Sequence, residues 1–224
     1  MNAPPENKVW YLKRSRLFDR ATSETIENCE HLFVQKTYGK RSVLFHEGDT
    51  ARLVYLVKSG QVRIARRTAN DKEVTVAILG PGDLFGEEVV FSAVERTTVA
   101  TCLEDSLLCT ARAEDVYGLM SRHPVLALNI AKYLREQLDD ALAVHEDVAY
   151  LKVSERLLKL FQRLAAEHGT PADGGGTKID VRLTHADMAS LIGSTRETVT
   201  VQMQQLVRDG AVRLDGRSIV LLGT

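Results

Sequence analysis

The sequence predicts an α+β chain in three parts: an N-terminal β-roll, a long helix, and a C-terminal helix-turn-helix with a β-hairpin wing. Three observations carry that expectation. Residues 32–113 alternate short β-rich runs with Gly-Asp turns, the texture of a rolled antiparallel sheet. After His123-Pro124 no proline or glycine interrupts the chain until Gly169. Residues 184–210 read as two short helices about a glycine turn, and two apolar runs around Asp215-Gly216 follow as a hairpin. The boundaries expected are 1–121 for the β-roll, 122–152 for the helix and 153–224 for the C-terminal domain.

The first thirty residues are a lead-in with a helix near 22–29. Strands are expected at 53–57, 62–65, 74–79, 97–103 and 106–109, separated by H-E-G-D, K-S-G-Q and L-G-P-G-D turns. The long helix starts at His123-Pro124, where proline suits the first turn, and breaks near 152–154. Ile130, Leu134, Gln137, Ala141, Val144, Val148 and Leu151 fall at alternating spacings of 4 and 3. That is the seam of a two-stranded coiled coil, which makes a second copy of the chain a partner. The alternative is an amphipathic helix packed on its own domain, with Leu138, Leu142 and Ala149 as a flanking stripe for the barrel. At 1.5 Å per residue a helix of about 30 residues spans roughly 45 Å. A further amphipathic helix over 154–168, a flexible loop over 169–177 and a strand over 179–183 complete the approach to the helix-turn-helix.

Bulk composition excludes more than it assigns. With 224 residues, 44% hydrophobic and 26% charged, the chain is long enough for two cored domains. The net charge of −1 advertises no partner, but from residue 151 onward ten Lys and Arg stand against eight Asp and Glu. A slightly basic tail fits local contact with nucleic acid. No run approaches the ~18 apolar residues of a membrane span, and the N-terminus has no apolar signal core. Cytoplasmic placement is expected. Cys29, Cys102 and Cys109 are too few and too scattered for an iron–sulfur site or disulfide framework. Cys102 and Cys109 read as small core residues, and Cys29 stays a candidate redox thiol. His31, His46, His123 and His145 read as surface or core residues rather than haem ligands. No nucleophile–base pair, metal cluster or Walker loop is present, so neither catalytic nor metal-binding residues are expected.

Within the helix-turn-helix, Thr184 is placed as an N-cap and Asp187 favours the same helix start. Met188, Leu191 and Ile192 give the first helix its apolar face, and Gly193 suits the left-handed turn. Ser194 or Thr195 caps the second helix, whose apolar positions are Val199, Met203, Leu206 and Val207. Its first turn offers Arg196, Glu197 and Thr200 to base edges. An Arg fork matches guanine O6 and N7, and a Glu accepts from cytosine N4. Gln202 and Gln205 are candidates for phosphate or base. Ser194, Thr195 and Arg217 are candidates for phosphate, with solvated surface as the plainer alternative for these five.

A second constellation lies in the β-rich part. Gly86 permits close approach of backbone to a ligand, and Glu87-Glu88 open a short helical segment. Arg96 supplies a forked cation suited to phosphate and Thr97 a hydroxyl. The plainer alternative is an Arg96–Glu87 ion pair.

P-G-D-L-F-G-E-E at 81–88, E-R-T at 95–97 and G-S-T-R-E-T-V at 193–199 occur in the order roll, long helix, winged helix. Over nearly the whole chain this resembles the CRP/FNR family of bacterial transcription regulators. The resemblance implies a jelly-roll-like cyclic-nucleotide-binding domain whose ligand changes how two dimer helices pack. It implies double-stranded DNA read as a palindromic TGTGA-like site, with half-sites roughly 10 base pairs apart, and RNA polymerase as a further partner. Glu87 would hold a ribose 2′-hydroxyl, and Arg96 with Thr97 a cyclic phosphate. Two departures stand out. Where cyclic-AMP-binding members present Thr-Ser to adenine, this chain has Ala141-Leu142, which cannot hydrogen-bond a base. Where the family often places a third reading Arg, it has Val201, so one guanine of the half-site should be read less strictly or replaced by thymine. Cyclic AMP, another cyclic nucleotide, or no effector at all therefore remain open. The rival functions are constitutive DNA binding controlled by abundance, and a cyclic-nucleotide-sensing subunit acting on a protein.

Overall fold

A computed structural model of the chain describes residues 8–69, 71–92, 95–179, 181–216 and 218–222. It divides into two units, Met1–Glu73 with Ala77–Leu138, and Val74–Val76 with Asp139–Thr224. The main division therefore falls inside the long helix.

In the first unit, α1 (Lys8–Lys13) and α2 (Ser23–Cys29) lead in. Thr22 caps α2 as its short polar side chain predicts, its hydroxyl accepting from Thr25 N at 3.2 Å. Eight strands follow: β1 (Val34–Tyr38), β2 (Val43–Phe45), β3 (Leu53–Ser59), β4 (Val62–Arg67), β5 (Glu73–Leu79), β6 (Leu84–Phe85), β7 (Val99–Cys102) and β8 (Ser106–Arg112). They form two four-stranded sheets, ordered β1-β8-β3-β6 and β2-β7-β4-β5. The apolar run in β3 reflects burial on both faces. Val54 and Leu56 join a core with the helices, while Tyr55 and Val57 point into the space between the sheets. Between β6 and β7 sits the single turn α3 (Glu88–Phe91), and after β8 comes α4 (Ala113–Arg122).

The long helix α5 spans Pro124–Tyr150, and its starting half buries Leu126, Asn129, Ile130 and Tyr133. Ile130 corrects the sequence reading. It is 0% exposed within the core of its own unit and cannot face a second chain. Periodicity alone does not say which partner an apolar position meets; the next position of the expected seam, Leu134, is exposed. The flanking stripe is corrected in the opposite sense. Leu138 is 53% and Leu142 50% exposed, and Ala149 is exposed too, so none is packed away.

In the second unit, α6 (Val153–His168) begins after a short break. Glu155 holds its start by accepting from Lys152 N at 2.8 Å. The expected flexible loop at 169–177 is instead a hairpin, β9 (Gly169–Pro171) paired with β10 (Thr177–Ile179), and the expected strand over 179–183 ends at Ile179. Gly174, Gly175 and Gly176 all take positive φ, so the run that reads as flexibility supplies the tight turn. Then come α7 (His185–Leu191), α8 (Arg196–Arg208), β11 (Val212–Asp215) and β12 (Ser218–Leu221). The wing sheet has the order β11-β12-β10-β9. Leu157, Phe161 and Leu164 of α6 are buried, as are Val199, Met203 and Leu206 of α8. Val207, expected on that apolar face, is 38% exposed.

Candidate effector pocket and nucleic-acid interface

The effector constellation assembles at the mouth of the roll. Phe45, Tyr55 and Phe85 form a floor of three rings, with Tyr55 and Phe85 stacked at 4.8 Å between centroids. Arg96 lies over this floor, its Cζ 4.2 Å from the Phe45 centroid, and is only 3% exposed. Its backbone is pinned by the H-E-G-D turn. Gly48 N donates to Arg96 O and Arg96 N to Asp49 O, each at 2.8 Å. The Asp49 carboxylate accepts from His46 N and closes that turn.

Gly86 sits against the guanidinium. Its φ is +76°, and a Cβ there would stand 2.8 Å from Arg96 Nη1 and 3.0 Å from Leu53 O. Only glycine meets both demands. Arg96 Nη1 donates to Gly86 O at 3.3 Å and Nη2 to Leu53 O. Its carboxylate partner is Glu88, not Glu87, which corrects the pairing read from the sequence. Successive residues entering a helical turn point about 100° apart, so only one of the two reaches the cation. Glu87 is desolvated instead. Burial pushes its carboxyl up to about 7, and the Glu88 charge pushes the same way, against a backbone hydrogen bond and Arg96. Thr97 is exposed.

Two residues that sequence reasoning did not connect to the site join it to α5. Tyr133 donates its hydroxyl proton to Leu84 O at 2.7 Å, directly before Phe85 and Gly86. Gln137, expected only in the dimer seam, donates to that hydroxyl at 2.8 Å. Arg16 lies over the Tyr133 ring and pairs with Asp83 of the P-G-D turn at 3.1 Å. Spacing of 4 on a helix was the available signal for Tyr133–Gln137; the strand they meet was not legible. Cys29, Cys102 and Cys109 are buried thiols outside any disulfide, and burial pushes the Cys29 thiol above its ordinary value. Burial thus works against the thiolate that redox chemistry at Cys29 would use. Among the described residues no cluster of three or more His, Cys, Asp or Glu side chains is placed to hold a metal ion.

The helix-turn-helix forms as its caps predict. Asp187 accepts from Thr184 N at 3.0 Å and its own N–H donates to Thr184 Oγ1, a reciprocal capping pair. Thr195 rather than Ser194 caps α8, accepting from Thr198 N. Gly193 takes φ +62°, and Arg156 of α6 donates to the carbonyls of Ile192 and Gly193 at 2.6 and 3.1 Å. Those bonds fix the turn from which α8 starts.

Arg196 and Glu197 are exposed in the first turn of α8, and Val201, 57% exposed, follows on the same stripe. Gln204 is exposed there as well, a position missed in the sequence reading although its spacing of 3 from Val201 would have found it. Thr200 departs from expectation. It is half-buried, its hydroxyl donates to Arg196 O at 2.9 Å, and His185 Nδ1 lies 2.8 Å from the same oxygen. It braces α7 against α8. Gln205 is also engaged, bonded to Asp209 and Arg208 at the far end of α8. Gln202 and Ser194 are half-buried and Thr195 is exposed; Arg217 lies outside the described residues.

A family model described as cyclic nucleotide-binding domain matches residues 35–123, and one described as Crp-like helix-turn-helix domain matches residues 152–223. The cyclic AMP receptor protein of Thermus thermophilus is 34% identical over 208 residues, covering 91% of this chain and 90% of that protein. The chain belongs to the CRP/FNR family. Another of its relatives is the CRP-like cAMP-activated global transcriptional regulator of Mycobacterium tuberculosis, 26% identical over 94% of this chain and 93% of that one. The solved structure of the c-di-GMP responsive regulator CLP of Xanthomonas campestris matches with a TM-score of 0.75 at 25% identity. It covers 91% of this chain and 100% of that one. As a CRP/FNR member the chain is a transcription regulator that joins a cyclic-nucleotide-binding domain to a DNA-binding helix-turn-helix. Among the described residues no helix is long and apolar enough to cross a membrane.

Proposed function

We propose that this regulator works as a cytoplasmic homodimer on palindromic TGTGA-like DNA, under control of a cyclic nucleotide held in the β-roll, with RNA polymerase as its further partner. The observation that carries the effector reading is the close approach of Gly86 to Arg96, whose guanidinium lies over the ring floor. A fork of N–H donors beside a glycine too close to bear a side chain suits a cyclic phosphate, and Glu87 suits a ribose hydroxyl. Named relatives respond to cyclic AMP or to c-di-GMP. Ala141 and Leu142 offer no polar atom to a base, so the purine is read weakly or by other groups.

The deciding measurement is DNA-binding anisotropy on a palindromic TGTGA duplex at fixed salt, with cyclic AMP, cyclic GMP, c-di-GMP or no nucleotide. Tightening by tenfold or more with one nucleotide supports the reading and names the base. Tight binding that none of them changes overturns effector control and favours a constitutive regulator.

The dimer reading rests on the exposed apolar positions Leu134, Leu138 and Leu142 of α5, one turn apart. Leu138→Glu places a charge in that seam without removing a buried contact of its own unit. Sedimentation should show a monomer that keeps the wild-type circular dichroism spectrum, its melting midpoint should fall by the lost dimer stabilisation and no longer depend on concentration, and affinity for the palindrome should fall more than tenfold. A dimer that persists sinks this seam.

Signal passage from pocket to helix has a candidate in the Tyr133–Leu84 bond. Tyr133→Phe should cost about 1–2 kcal/mol of stability, since Leu84 O loses a buried donor. Effector-driven tightening on DNA should shrink severalfold while effector affinity, read by calorimetry, changes little. Equal loss of both would show that Tyr133 supports the pocket alone.

A further inference from the structure

We propose that Glu88 is a built-in counter-anion for Arg96, and that it sets the effector selectivity of the pocket by competing with an incoming phosphate for the guanidinium. This rests on the reading of Arg96 as the phosphate-binding cation. The guanidinium is nearly sealed from water, and a buried cation without a partner is costly. Its fixed partners are the carbonyls of Gly86 and Leu53, which carry no net charge, and the faces of Phe45 and Tyr55. Among the described residues, Glu88 is the carboxylate in contact with it and supplies the neutralising charge.

The two partners are unequally placed. The Arg96 side chain is 2% exposed, whereas that of Glu88 is 39% exposed. Arg96 therefore stays, and Glu88 can swing to solvent at modest cost. A phosphodiester must do two things to bind: displace the carboxylate from Nη1, and accept Glu88 as a like charge nearby. A ligand with one negative charge gains little from that exchange, because one anion replaces another. A ligand with two phosphate groups, or with strong contacts elsewhere, overcomes it. Glu88 thus raises the threshold against simple cyclic mononucleotides. It also acts on Glu87, whose ionisation the Glu88 charge opposes.

The test is calorimetric titration of the full-length protein with cyclic AMP, c-di-GMP and inorganic phosphate, for wild type, Glu88→Gln, Arg96→Gln and the double variant. Circular dichroism melting verifies that each is folded, with Glu88→Leu as a second variant if Glu88→Gln is not. Glu88→Gln is expected to tighten cyclic AMP at least tenfold and c-di-GMP by less. Arg96→Gln should abolish that gain, with the double variant binding no tighter than Arg96→Gln. Equal or weaker cyclic AMP binding by Glu88→Gln, in a protein whose wild type binds it, overturns the counter-anion role and leaves effector control standing. If Glu88→Gln gains affinity for inorganic phosphate while no variant binds a nucleotide, the counter-anion stands and the nucleotide reading falls. No binding of any probe by any variant overturns both.

Discussion

Arg196→Ala is expected to weaken binding to the palindromic duplex by roughly 10–100-fold per half-site, and to do so unevenly across base substitutions. A bidentate Arg–guanine contact is worth about 1–3 kcal/mol of discrimination, and a dimer makes it twice. Arg196 is the exposed first residue of α8, held in place by the Thr195 cap and by the turn that Arg156 fixes. The variant loses no buried contact, so its melting should match wild type. Anisotropy against duplexes changed one base at a time is the check. The penalty should vanish on duplexes that have lost the cognate guanine. A uniform loss across all duplexes would make Arg196 a phosphate contact instead. The same panel tests Val201. Its exposed isopropyl group cannot donate to a purine, so substitution at the base it faces should matter less than at the Arg196 base.

Glu87→Gln is expected to stabilise the first unit at pH 8 and to leave it unchanged at pH 4. Burial raises the folded carboxyl from its ordinary 4.5 to about 7. Between those values the folded state holds a proton that the unfolded chain has released. Stability is therefore fully present below pH 4.5, falls as pH rises, and reaches its lower level above about 7. A shift of this size corresponds to about 3 kcal/mol, so Gln, neutral throughout, should recover an amount of that order at pH 8. Melting midpoints of the two proteins across pH 4–8 read the effect. Parallel curves would show that Glu87 is not desolvated in the folded chain. The same substitution should weaken a ribose-bearing effector, so stability and function are set against each other at this residue, as at many sites built for binding.

Much of the architecture follows from local rules. Thr22, Thr184 and Thr195 cap helices where their side chains allow it, Gly193 closes the turn, and the Asp-Gly pair marks the wing. The motif glycine at 86 and the cation at 96 were legible as site residues because their chemistry is local. What sits against them was not. Phe45, Tyr55 and Phe85 come from three strands, and neither Tyr133 nor Glu88 signals its partner by spacing.

The sequence by itself determined the order of the domains, the helix ends, the exposed first turn of α8 and the residue types offered as candidates for phosphate. Each depends on short-range geometry: a capping distance, a period of 3.6, or the conformational freedom of one glycine. Tertiary structure alone decided which apolar positions of α5 are spent on the protein's own core. It buried Ile130, a position of the expected seam, and left Leu138 and Leu142, the stripe expected against the barrel, exposed. It also decided that Glu88 rather than Glu87 meets Arg96, and that Thr200 braces two helices. Those outcomes turn on which surfaces meet across long sequence separations, and burial there sets both the electrostatics and the partners a side chain can have.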